Sequence, residues 1–379
     1  MKIVDIRARV MRSSVPEFLI GGGIPYNLDL ASTIVEVVAD NGVVGRGETT
    51  LARGHDREKT MAQAVVNNFK PLLIGQDPRE ISRIWEELWV YTKTIGFVGP
   101  LSAIDQALWD LKARTLNVPL YELMGGRVRN KIRAYATSAI KKAPEEHVAD
   151  IKRYIELGIQ GVKLGIGRGV AEDKRLIRMA TEAAEDKIRV AVDANAFYTN
   201  HMDAEEIAQI CDETGIFWLE EPVQHSDIAG LAYLNHKYRT PISGYQTEIS
   251  AARMKDYLQH NALEIYQPRI CHSGGITQSK RVAELCDVFN KMFIPHAFGS
   301  GMKNAATLHL IASTNNAGWI EFPVVLDVED PRQFMTGNYL SNLQDISMDE
   351  QGFVTVPSGP GNGVELNQDT LDQYQVAAF

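Results

Sequence analysis

Residues 189–222 read RVAVDANAFYTNHMDAEEIAQICDETGIFWLEEP. Two short apolar runs, RVAVDAN (189–195) and IFWLEEP (216–222), each end on carboxylates and flank a stretch with helical periodicity. Runs of this length predict strands and the segment between them predicts a helix, so the stretch reads as a βαβ unit with parallel strands. The same rhythm extends outward in both directions. RAYATS (133–138) and GVKLG (161–165) precede it, and PISGYQ (241–246), LEIYQPR (263–269), MFIPHAF (292–298) and WIEFP (319–323) follow. Eight such runs across about 200 residues fit a closed (β/α) barrel, in which functional groups gather at the C-terminal strand ends.

The segment before the barrel has a different pattern. Ile3, Val4 and Ile6 open a strand, and Ala31–Ala39 is a β-branched run ending at Asp40-Asn41-Gly42, a hairpin turn that returns through 43–48. After residue 56 the period becomes helical, with Ala103, Ile104, Ala107, Leu108 and Leu111 on one helix face. Gly125-Gly126 closes this region, and the tail around Pro357, Gly359, Pro360, Gly361 and Gly363 leaves the barrel rhythm. The expected fold class is α/β: a modified (β/α) TIM-type barrel with an N-terminal α+β capping domain. Residues 1–128 form the cap, 129–350 the barrel, and 351–379 return to the cap. The loop carrying Gly21-Gly22-Gly23 and Pro25 is expected to act as a flap at the barrel mouth and exclude water.

The chain has 379 residues, 45% hydrophobic and 23% charged, which allows a large core without metal or disulfide staples. A net charge of −9 with no basic block argues against a nucleic-acid partner. MKIVDIRARV alternates like a strand rather than a signal peptide, and no run reaches the roughly 18–20 apolar residues of a membrane span. Cys211, Cys271 and Cys286 have no CxxC spacing and read as reduced thiols of a cytoplasmic protein.

Lys163, Asp193, Glu220, Gln246, Arg269, His296 and Glu321 each lie at or just beyond a strand end, 23 to 30 residues apart. A barrel turns that linear spacing into a ring. One polar residue at a strand end is ordinarily structural; seven in succession predict a pocket. Asp193 and Glu220, from adjacent strands, either pair with basic neighbours or share Mg²⁺, which takes oxygen ligands and keeps several waters. Lys163, Arg269 and His296 are suited to orienting an anionic substrate or moving protons. A rival signal, Gly165-Ile166-Gly167-Arg168-Gly169, follows a strand and precedes a helix as a dinucleotide fingerprint does. Its spacing fails, because the third glycine of G-x-G-x-x-G falls on Val170. No G-x-S-x-G elbow, Walker A loop or HExxH occurs.

Several longer motifs add to this reading: SAIDQALWDLKARTLNVPLYELMGG (102–126), IGQDP (74–78), VDAN (192–195), WLEEP (218–222), CHSGGIT (271–277), IPHAFGSG (294–301) and GPGNGVELNQDTL (359–371). Over nearly its full length the chain resembles the mandelate racemase branch of the enolase superfamily. RAYAT, GVAEDKR and the tail look closest to sugar-acid lactone cycloisomerases and acid-sugar dehydratases. The resemblance implies removal of a proton alpha to a carboxylate, with Mg²⁺ stabilising the charge that develops. It implies Asp193 and Glu220 as metal ligands, Glu321 as an acid bonded to the substrate carboxylate, Lys163 as the first lysine of a Lys-x-Lys pair, and His296 as a base on the opposite face.

Three positions depart from that pattern. The second lysine is Gly165, the third metal ligand falls on Gln246, and the aspartate that orients the histidine falls on Arg269. An amide in place of a carboxylate weakens the Mg²⁺ site, and Arg269 favours a neutral His296 or clamps a substrate carboxylate. Without the second lysine, racemisation from two faces is not expected. One-sided β-elimination from a sugar acid or its lactone is, which makes the protein a lyase or isomerase. The alternative is a sugar-acid-binding protein of the same fold with little or no turnover. A small hydroxylated carboxylate is the expected partner, in a homo-oligomer (dimer or octamer).

Overall fold

Alternation along the first strand sets the cap sheet: Ile6, Ala8 and Val10 are fully buried while Arg7 faces solvent. The computed structural model describes residues 1–14, 18–20, 24–26, 29–50, 57–138, 143–299, 301–333 and 339–379. The cap contains β1 (Ile3–Ser14), β2 (Phe18–Ile20), β3 (Ile24–Tyr26), β4 (Asp29–Ala39) and β5 (Val44–Thr50). β1, β4 and β5 form an antiparallel meander, and β2 pairs with β3. The β4–β5 turn falls at residues 40–43, where Gly42 takes φ +82° and donates to the Ala39 carbonyl at 3.0 Å. Of the loop expected to form a flap, residues 21–23 lie outside the described residues.

The helices Arg57–Ala64, Ile81–Ile95 and Val98–Leu116 pack on this sheet. The last of them carries the predicted apolar face, with Ala103, Ile104, Ala107, Leu108 and Leu111 all buried. β5 lies directly against it. A Cβ at Gly47 would stand 2.0 Å from the Ala103 carbonyl oxygen, and one at Gly45 would stand 2.2 Å from that of Ala107. Only glycine permits so close an approach of strand to helix.

The second unit has β6 (Lys131–Ser138), β7 (Gly161–Gly165), β8 (Arg189–Asp193), β9 (Leu219–Glu220), β10 (Ile242–Gly244), β11 (Ile265–Tyr266), β12 (Met292–Phe293) and β13 (Trp319–Phe322). All are parallel and run in the order β12-β11-β10-β9-β8-β7-β6-β13. The Phe293 N–H donates to the Asn316 carbonyl at 3.2 Å, reaching across from β12 toward the start of β13. Each of the eight apolar runs read from the sequence falls on one of these strands, β6 beginning two residues before its run, with a helix between successive strands. Several strands stop earlier than their runs because the chain turns through the left-handed region at Asn195, Ala196, Glu221 and Tyr245. The fold is therefore a modified TIM-type barrel with an α+β cap.

The barrel floor explains where the functional side chains sit. Tyr135, Ala191, Trp218, Ile265, Ile294 and Trp319 form one buried apolar cluster from six strands. Strand side chains repeat every two residues, so the inward residue above each floor residue is two positions on. Those positions are Thr137, Asp193, Glu220, Gln267, His296 and Glu321. Past the barrel, β14 (Phe353–Thr355) pairs antiparallel with β6, and β15 (Gln375–Ala378) pairs antiparallel with β1 in the cap. No helix among the described residues is long and apolar enough to cross a membrane.

Candidate active site

Lys163 occupies the centre of the layer above the floor. Its ammonium donates to Glu220 Oε1 at 2.9 Å and lies 3.3 Å from Asp193 Oδ2 and 3.4 Å from Glu321 Oε1. The side chain is buried, and burial alone would lower its pKa. The charges of Glu220, Glu321 and Asp193 outweigh that and hold it well above the usual lysine value. Lys163 lies two residues beyond Gly161, where a Cβ would meet the Trp319 ring at 2.9 Å.

The acids around Lys163 are individually satisfied. Asp193 Oδ1 accepts the Asn195 N–H at 2.9 Å, and Glu220 Oε2 accepts from the Gln267 amide at 2.8 Å and the Trp218 indole at 3.2 Å. Burial, then the Asp193 charge, pushes the Glu220 carboxyl up to about 7. Glu321 differs: Thr137 donates to its Oε1 at 2.7 Å, and the Ala297 and Phe298 amides each donate to its Oε2 at 2.8 Å. Burial would raise its pKa, but Lys163, His296 and these donors hold it well below the usual carboxylate range.

His296 and Arg269 close the other side. Arg269 Nε stands 3.2 Å from His296 Nδ1, and Arg269 Nη2 stands 3.0 Å from Nε2. A neutral imidazole has one lone pair and one N–H, so only one of these contacts is a hydrogen bond. His296 Nδ1 also lies 3.7 Å from Glu321 Oε2. That separation is beyond hydrogen-bond distance, so the hydrogen bond the ring makes here is the one it accepts from Arg269. Burial first, and Arg269 second, drive the His296 pKa well below that of free imidazole. Among the described residues Arg269 forms no ion pair.

Six of the seven residues read from the sequence thus form one connected set: Asp193 and Glu220 through Lys163, then Glu321, His296 and Arg269. Gln246 is attached elsewhere. Its amide nitrogen donates to Glu221 Oε2 at 2.6 Å, while Glu221 Oε1 is buried without a hydrogen-bond partner. Burial, then the Glu220 charge, pushes the Glu221 carboxyl to about 7. Sequence reading missed Thr137 and Gln267, which are uncharged, and Glu221, hidden as the second acid of WLEEP. Stepping two residues from each floor residue finds the first two.

The rival glycine loop has an internal anion of its own. The amides of Gly167, Arg168 and Gly169 donate to Asp173 Oδ2 at 3.0, 3.1 and 3.2 Å, and the Tyr198 hydroxyl joins them at 2.6 Å. Those amides are therefore not presented to a pyrophosphate.

Among the described residues no three His, Cys, Asp or Glu side chains form a metal-ligand group. Asp193 and Glu220 both lie within 3.3 Å of the Lys163 ammonium, and Gln246 is bonded to the neighbouring Glu221. Among the described residues, buried Asp193, Glu220, Glu221 and Glu321 outnumber the cations around them, Lys163, the partly exposed Arg269 and, one peptide further out, Lys303. That negative excess, the orphaned Glu221 oxygen and the hard oxygen donors fit a small divalent cation such as Mg²⁺, which needs few protein ligands.

Comparison with known proteins agrees with this architecture. Residues 29–125 match the mandelate racemase/muconate lactonizing enzyme N-terminal domain, and residues 146–370 match the enolase C-terminal domain-like family. The chain belongs to the mandelate racemase/muconate lactonizing enzyme family of the enolase superfamily. It is 32% identical over 358 residues to a D-galactarolactone cycloisomerase of Agrobacterium fabrum, covering 91% of this chain and 92% of that protein. It is 27% identical over 348 residues to an arabinonate dehydratase of Saccharolobus solfataricus, covering 90% and 89% respectively. It shares its fold with L-talarate dehydratase from Polaromonas sp. JS666, solved with Mg and L-glucarate. The TM-score is 0.85 at 24% identity, covering 100% of this chain and 98% of that one.

Proposed function

We propose that the protein is a lyase or isomerase that removes the proton alpha to the carboxylate of a sugar acid or its lactone and expels a β-oxygen. The observation that carries this reading is the placement of Glu321, with Lys163 at 3.4 Å from one oxygen and His296 at 3.7 Å from the other. An ammonium and a neutral imidazole thus flank one buried carboxylate. The relatives named as a cycloisomerase and a dehydratase support the substrate class.

In this reading the neutral His296 takes the α-proton. The C–H electron pair becomes the new C=C bond, the β-carbon–oxygen bond breaks, and the imidazolium returns its proton to the departing oxygen. Lys163, enclosed by three carboxylates, is an ammonium that positions rather than a base. Arg269, which forms no ion pair among the described residues, clamps a substrate carboxylate with its guanidinium fork. Asp193 and Glu220, with the Gln246 amide oxygen, would hold Mg²⁺, which supplies positive charge for the oxygens where negative charge develops. Residues 1–128 and the 351–379 tail act as the unit that covers the barrel.

The binding-protein alternative is favoured by one observation: His296 has both ring nitrogens within 3.2 Å of Arg269, so a substrate must displace the guanidinium before the imidazole can act. A library of acid sugars and lactones, including D-galactarolactone and arabinonate, separates the two. With Mg²⁺ present, proton NMR in D₂O should show loss of the α-proton signal from at least one compound. Saturable binding with no exchange and no product would establish the binding reading instead.

A further inference from the structure

The geometry points to Lys303 as a positioning residue that acts on the site through a single peptide group. Lys303 is 1% exposed and, among the described residues, forms no ion pair. Its ammonium donates to the carbonyls of Ala297 at 2.9 Å and Phe298 at 2.8 Å, and to Asn304 Oδ1 at 3.1 Å. The N–H groups of the same two residues hold Glu321 Oε2. The Ala297 carbonyl and the Phe298 N–H belong to one peptide unit. A cation on that oxygen draws electron density from the nitrogen and strengthens the N–H as a donor to Glu321. Lys303, the peptide and Glu321 therefore form one polarised chain.

Two features show that the lysine is built in rather than accommodated. A buried ammonium without a carboxylate partner is expensive, and an apolar side chain would fill the same volume at lower cost. Its stem also runs past Gly299, at φ +125°, where a Cβ would come within 3.2 Å of Lys303 Cε. The backbone is anchored as well. The Lys303 N–H donates to Glu48 Oε2 at 3.0 Å, and Glu48 Oε1 accepts the Tyr339 hydroxyl at 3.0 Å. Buried Glu48 on cap strand β5 thereby fixes the start of the helix Gly301–Ala312 that carries the lysine.

Lys303 thus holds the 297–298 turn so that both amides stay on Glu321, and its kinetic consequence rests on the proposed function. The test pairs Lys303→Met, which keeps the stem and removes charge and donors, with Lys303→Arg and Glu321→Gln. On the best substrate from the library, Lys303→Met should lower kcat about 10-fold with KM changed less than about two-fold, and Lys303→Arg should restore part of the loss. In the Glu321→Gln background the same change should cost less than about two-fold, because its route to the site has been removed. Equal losses in both backgrounds would overturn the inference. Lys303→Gln takes the place of Lys303→Met if the latter fails to fold. If the wild-type protein turns over nothing, the function reading fails, and crystal structures of the same variants test this inference by themselves. The Phe298 N–H should then leave hydrogen-bond distance of Glu321, and an unmoved pair refutes the role of Lys303.

Discussion

Replacing Arg269 by glutamine removes a positive charge 3.0–3.2 Å from the His296 ring and leaves the burial of that ring largely intact. At an effective dielectric of about 20, two like unit charges at this separation repel by about 5 kcal/mol. Arg269 is partly exposed, so solvent screens part of that repulsion, and removing the charge should move the His296 pKa upward. The sign follows from the native state. Burial and Arg269 hold the folded His296 below its unfolded value, so its contribution to stability is present above pH ~6.5 and is lost as pH falls toward the folded pKa. In Arg269→Gln the folded pKa moves back toward the unfolded one, and less stability is lost in acid. A base must be neutral, so the acid limb of kcat/KM should rise by the same amount. Titration of the His296 Hε1 resonance between pH 4 and 8, in wild type and variant, measures the shift directly. An identical titration in both proteins would refute the claim that Arg269 sets the charge of His296.

His296→Asn and Lys163→Met should each lower turnover by about 10²–10⁴-fold, the usual worth of general acid–base and positioning groups, and wild-type rates in both variants would favour the binding reading. Gln246→Glu adds a carboxylate to the cation site, so isothermal titration should show Mg²⁺ bound at least about 10-fold more tightly. Unchanged affinity would mean that Gln246 does not face the metal. Gly47→Ala places a methyl 2.0 Å from the Ala103 carbonyl and should destabilise the protein by about 1–3 kcal/mol, read as a lower urea midpoint.

The barrel was legible in the sequence because its signal is periodic. Each apolar run marks one strand, and the charged residue closing it marks the C-terminal end. Lys163, Asp193, Glu220 and Glu321 stood out for that reason, and their mutual contacts follow from strand register: Asp193 pairs with Glu220 across β8–β9, and Lys163 with Thr137 across β6–β7. What stayed hidden lacked charge or periodicity. Thr137 and Gln267 sit in the same inward layer, yet neither residue type announces chemistry. Gln246 lies past the end of β10, after Tyr245 turns through φ +86°, so its direction depends on a loop geometry that spacing does not encode. Gly45 and Gly47 are required by the helix they touch, a long-range approach that strand patterning does not encode.

The departure at 269 becomes coherent once its partner is known. Lys163 has no capacity left for an incoming anion, since three carboxylates surround its ammonium within 3.4 Å. Glu321 is likewise saturated by Thr137 and two amides. The group with unused donors is Arg269, whose side-chain hydrogen-bond contacts among the described residues are to one imidazole. In the proposed function a substrate carboxylate would exchange the guanidinium–imidazole contact for a bidentate ion pair, and the same movement would free the His296 ring. Under the proposed function, substrate binding and activation of the base would be a single event, with Arg269 covering the imidazole in the empty site and holding the substrate carboxylate in the filled one. An aspartate at this position would orient the histidine at all times; in the proposed function an arginine would make its availability conditional on an anion. This is why one substitution, Arg269→Gln, is expected to act twice, raising the His296 pKa in the free protein and weakening the hold on the substrate carboxylate.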